Sequence, residues 1–154
     1  MVYPTGTPVQ ETILDHVKTT LAAIASPTYH TTVIEVTRLR GDNLFEMPQR
    51  PCVVISVPDV EDTDTTLAMI AKEMRFTCRC ALDDRTDAQE AVGWFIQDIR
   101  HALTRDITRG GVAVDTHVTG SIPFQSDQLS SICGADVLVH IQFRHLYDDP
   151  NTPI

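Results

Sequence analysis

A chain of 154 residues, 42% of them hydrophobic, is long enough to bury one core and too short for two, which predicts a single domain over 1–154. Lys and Arg number 12 against 21 Asp and Glu, and the resulting net charge of −9 repels phosphate backbones and anionic lipid, arguing against nucleic-acid recognition and membrane-surface binding. Met1 to Gly6 carries neither the basic nor the apolar segment of an export leader, and no apolar run approaches membrane-spanning length, so the expectation is synthesis in the cytosol.

In chain order, Thr7-Pro8-Val9-Gln10 has the residue spacing of a capping box, with Thr7 as the cap and Pro8 at the first helical position. Val9, Ile13, Val17, Leu21 and Ile24 then recur at helical spacing, predicting a helix from Pro8 to Ala25 that Pro27 stops. A strand is expected from Thr31 to Leu39, then a loop from Arg40 to Gln49. Pro51 introduces the continuous apolar run Cys52 to Val57, which predicts a strand covered on both faces. Asp59-Val60-Glu61-Asp62-Thr63-Asp64 reads as a solvated acidic loop, with a partner contact as the functional reading. The next strand places Met74, Phe76, Cys78, Cys80 and Leu82 on one face by strict alternation.

A second capping box, Thr86-Asp87-Ala88-Gln89, opens a helix from Asp87 to Thr104 that buries Ala88, Ala91, Val92, Phe95, Ile99, Ala102 and Leu103. Gly110-Gly111 marks a loop hinge before a strand from Val112 to Val118, and the polar stretch from Gly120 to Ser131 reads as a long loop. The closing strand, Ala135 to Tyr147, turns Val137, Val139, Ile141, Phe143, His145 and Tyr147 to one face. Its other face, Leu138, His140, Gln142, Arg144 and Leu146, is half apolar and calls for a cover from the chain or from another copy. Asp148 to Ile154 should be extended. The predicted class is α+β: a mainly antiparallel sheet of four or five strands carrying two helices. Its core is drawn from Ile13, Val17, Leu21, Val54, Phe76, Cys78, Phe95, Ile99, Val139 and Ile141.

Chemistry leaves few candidates. Asp115 and His117, two apart on a strand, share a face and could orient an imidazole, but a nucleophile turn is missing. Cys78-x-Cys80 lacks the usual zinc spacing, and His140 and His145 point to opposite faces, so no metal or cofactor is expected. The four cysteines, Cys52, Cys78, Cys80 and Cys133, sit in apolar stretches and read as reduced, buried thiols. Gly110-Gly111 follows a helix instead of opening one and lacks a phosphate-binding lysine. Candidate contact residues remain: Trp94, adjoining core Phe95 but projecting elsewhere; basic Arg38, Arg40 and Arg50; acidic Asp59, Glu61, Asp62 and Asp64; and Arg144 and Tyr147 at the end of the closing strand.

The whole layout resembles the tail terminator, or tail completion, family of long-tailed bacteriophages and tail-like particles. The resemblance lies in the N-terminal helix after a short lead, Arg50 directly before Pro51 at the entry to Cys52 to Val57, and the acidic hairpin. It continues through the helix Asp87 to Thr104 and the closing strand with its Arg144-His145-Leu146-Tyr147 end and Pro-containing tail. It implies a homohexameric ring on the head-proximal end of the virion tail, assembled in the host cytoplasm, that caps the tube and ends its polymerisation. The partners it implies are the tail tube protein and a head-completion or neck protein, with a sheath protein as a further candidate and DNA only passing through the channel. A small ligand-binding or regulatory α+β module is the alternative reading, and an enzyme built around Asp115 and His117 a third.

Overall fold

The computed structural model describes residues 6–39, 49–83, 87–125 and 132–154. Helix α1 (Val9–Ala22) is followed by strands β1 (Glu35–Arg38), β2 (Cys52–Ile55), β3 (Asp59–Thr65) and β4 (Met69–Asp83). Helix α2 (Ala88–Thr104) leads into β5 (Asp115–Gln125), β6 (Ile132–Leu146) and β7 (Asp149–Pro153). One mixed sheet runs β1-β2-β4-β6-β5, with β3 adding to β4 beyond the end of β2, and β7 adding to β6 beyond the end of β5. Among the described residues only the β1–β2 pair is parallel. The sheet curls into a half-barrel carrying both helices, the α+β class expected.

Both helices pack on one face. Ile13, Leu14, Val17 and Leu21 of α1 and Val92, Phe95, Ile99 and Leu103 of α2 meet Val53, Ile55, Met74, Phe76, Cys78, Cys80, Val137, Val139, Ile141 and Phe143 in a single core. Each large aliphatic group so buried contributes roughly 1.5–3 kcal/mol, which is why alternation in β4 and β6 reads out so cleanly. Val54, expected in this core, turns with Cys52 to the other face, because neighbours along a strand alternate. There Cys52, Ala81 and Ile132 make a small second cluster against Phe124. All four cysteines are buried, and none is in a disulfide.

Several boundaries differ from expectation. Pro8, with ψ of 145°, is the cap of α1 and not its first helical residue, which moves Thr7 out of the capping position; no side chain caps this end. At α2 the cap is Asp87, again without a side-chain capping bond, and Thr86 lies outside the described residues. Helix α1 ends at Ala22 because the Ile24 amide turns back to the Leu21 carbonyl (3.2 Å), tightening the last turn before Pro27. The acidic segment is a strand: Arg75 and Lys72 of β4 neutralise Glu61 and Asp62 across the ladder, offsetting the repulsion that made it read as a loop. Strand β5 starts at Asp115, later than Val112, and runs through Gly120 and Pro123 after a register shift between Val118 and Gly120. Pro123 is tolerated because β5 is an edge strand at that point.

Between α2 and β5, Arg109, Gly110 and Gly111 all take positive φ. Asp106 holds this turn by accepting from the Thr108 hydroxyl (2.8 Å) and amide (3.0 Å) and from the Gly110 amide (2.7 Å). These bonds, the hydroxyl's above all, hold its carboxyl below the usual range. The Arg109 side chain is buried and donates to the Leu103 and Asp106 carbonyls, capping the last turn of α2.

Candidate functional site

Three surfaces carry the candidate residues. The first is the sheet face opposite the helices, which no helix covers among the described residues. Register places Asp115, Gln142, Glu73 and Glu61 in one row and His117, His140, Arg75 and Asp59 in the next. Side chains link across three strands, His140 Nδ1 to Glu73 Oε1 (3.1 Å) and Arg75 Nη2 to Glu73 (2.8 Å) and Glu61 (2.6 Å), while within β5 Asp115 Oδ2 pairs with His117 Nδ1 (3.0 Å). The His117 and His140 rings lie 6.1 Å apart. The Arg75 hydrogen bond, with His140 contributing, holds the Glu73 carboxyl below its ordinary range. Asp115 thus does orient an imidazole. The pair is half exposed on an open face, and its register neighbours Gln142 and His140 carry no hydroxyl or thiol.

The second surface is a groove of about 470 Å³ between α2 and the segment 28–30. Asp98 creates it. Buried in the apolar stripe of α2, this carboxylate accepts from the backbone amides of Thr31 (2.8 Å) and His30 (3.3 Å), fixing the segment. His30 then stacks on Trp94, centroids 3.7 Å apart, and Tyr29 meets His101 edge-on at 5.8 Å. Trp94 keeps 43% of its surface exposed. Arg100 and Arg105 line the groove, and neither has an ion-pair partner among the described residues.

The third is the β3–β4 hairpin. Its tip is a tight turn in which the Thr66 amide donates to the Met69 carbonyl (2.9 Å), while the Thr66 hydroxyl accepts from the Met69 amide (3.1 Å). Leu67 at the tip is fully exposed. The Tyr147 amide donates to the Ala68 carbonyl (3.1 Å), placing half-exposed Tyr147 beside the tip. Arg144 sits opposite Ala71, itself opposite Asp64.

Compared with known proteins, the chain matches no family model and no curated protein.

The hairpin end therefore gathers Asp62, Asp64, Arg144 and Tyr147, while Trp94 stands apart at the groove; Asp59 and Glu61 lie back along β3 toward Arg75. The basic candidates behave differently from expectation. Arg38, its side chain 11% exposed, is held by Glu11 (2.9 Å) and Asp15 (3.3 Å) of α1. Arg50 is held by Asp83 (2.6 Å). Both guanidinium groups are committed within the molecule, so reversing them would disturb the fold; Arg40 lies outside the described residues. Sequence reasoning missed Asp98, although a lone carboxylate inside the stripe Phe95, Ile99, Ala102 was the available signal. It also missed Leu67, an apolar residue at a hairpin tip.

Proposed function

We propose that the chain is a structural virion protein of the tail-terminator type. Copies form a six-membered ring on the head-proximal end of a tail tube, stop its polymerisation and present the surface that a head-completion or neck protein joins. The observation that carries the reading is a pair of unlike surfaces: an acidic, apolar-tipped hairpin at one end of the sheet, and along α2 an aromatic groove whose arginines have no ion-pair partner among the described residues. Unlike surfaces on one rigid body suit a heterologous contact, which closes into a ring when its rotation divides a full turn. The uncovered sheet face offers further area for tube, neck or sheath protein, and a charge of −9 suits a lumen through which DNA slides without sticking. No helix of the described residues is long and apolar enough to cross a membrane.

The test is deletion of the gene from its phage, with electron microscopy of the particles. Overlong tails without joined heads are expected; tails of normal length carrying heads would overturn the reading. A ligand-binding module then becomes the better account. The observation favouring it is a groove of about 570 Å³ between α2 and the β5–β6 pair, lined by Val92, Ile96, Pro123 and Phe124.

A further inference from the structure

Resting on the ring reading, we infer that the β3–β4 hairpin of one copy docks in the His30–Trp94 groove of the next, Leu67 against the indole and Asp64, with Asp62 beside its Lys72 partner, toward Arg100 and Arg105. The hairpin is built to be inserted. Its turn is closed by Thr66 hydrogen bonds, so the apolar tip is already ordered and little freedom is lost on binding. The receiving groove is equally fixed, its far wall pinned by buried Asp98.

Charge selects the pairing. Arg38, Arg50, Lys72, Arg75 and Arg79 each have a carboxylate partner. Of the surface cations among the described residues, Lys18, Arg100, Arg105 and Arg144 have none, and two of these four, Arg100 and Arg105, stand together in the groove. The acidic strand β3 presents six exposed residues of its seven.

The hairpin cannot fill its own groove. Leu67 precedes Met69, the first residue of β4, whereas Trp94 shares a surface depression with Leu82, near the last. One continuous strand holds the two roughly 40 Å apart along its length. The occupant is therefore a second copy, and the contact is head to tail.

The test uses the full chain, with sedimentation for association and the emission of the sole tryptophan for groove occupancy. The wild type should associate with rising concentration while Trp94 emission moves to the blue. D62K/D64K and R100E/R105E should each weaken association by about tenfold or more. Their equimolar mixture should recover to within about threefold of wild type, because each variant's hairpin then meets the other's groove. L67D should lose the emission shift with its far-UV circular dichroism unchanged. Should a double variant fail to fold, D64K and R105E are paired in the same way. A wild type that stays monomeric to about millimolar concentration, variants that associate normally, or a mixture that fails to recover overturns the contact. The terminator reading stands or falls separately on tail length: overlong tails together with a failed charge swap would reject this contact alone.

Discussion

At Gly134 the backbone of β6 runs so close to β4 that a β-carbon would collide with the Cys80 carbonyl oxygen and lie 3.0 Å from Cζ of Phe124. Neither neighbour yields cheaply: one is ladder backbone, the other a ring also held under the Arg79 guanidinium, 5.1 Å from its centroid. Gly134→Ala should therefore cost about 2 kcal/mol or more, seen as a lower urea midpoint with an unchanged slope. The two thiols across the ladder supply a second prediction. Burial raises the Cys78 thiol well above its ordinary value, with the neighbouring Cys80 adding to it, and raises Cys80 to about 12. A raised folded-state value means stability is whole below the unfolded thiol range, near pH ~8.5, and is lost as pH climbs from there toward the folded values. Unfolding by urea at about pH 10 should thus show lower stability than at neutrality, and Cys78→Ala with Cys80→Ala should flatten that dependence. The same thiols should resist alkylating reagents until the chain unfolds.

Between elements, the contacts that matter join each helix to irregular chain or to an edge. Arg38 ties β1 to α1 through Glu11 and Asp15, so Arg38→Glu sets a third negative charge beside two and should cost about 1–3 kcal/mol in urea unfolding. Asp98→Ala leaves the His30 and Thr31 amides without their acceptor and should cost about 2–3 kcal/mol. It should also speed hydrogen exchange at both amides and shift Trp94 emission to the red. The elements legible in the sequence were those with a strong period: α2, β4 and β6 followed directly from where Phe95, Phe76 and Val139 recur, because burial imposes the repeat. Strand β3 was not legible, since its pairing depends on cations of β4 that are distant in sequence. The second half of β5 was hidden by Gly120 and Pro123, which signal a loop unless the edge position is known. Of the candidate contact residues, the exposure of the acidic set and of Trp94 was legible. The free arginines were not, because pairing is a property of the folded molecule.

As a whole the molecule has one principal core shared by both helices and the sheet, so far-UV circular dichroism and Trp94 fluorescence should report a single coincident unfolding transition. Ile99→Ala and Val139→Ala, on opposite sides of that core, should each lower its midpoint, by about 2–5 kcal/mol for the isoleucine. Strands β4 and β6, each 15 residues long, pair without interruption from Met69 against Leu146 to Asp83 against Ile132. A ribbon of that length, stiffened by helices on one side, acts as a strut of constant span. If hairpin and groove sit at its two ends, its length becomes the gauge that sets the circumference of the closed assembly. Such a gauge cannot be adjusted freely: one residue inserted in each strand would turn outward the core side chains beyond the insertion. The span can therefore change only in steps of two residues per strand, about 7 Å each, and rings built on this plan would come in discrete bores.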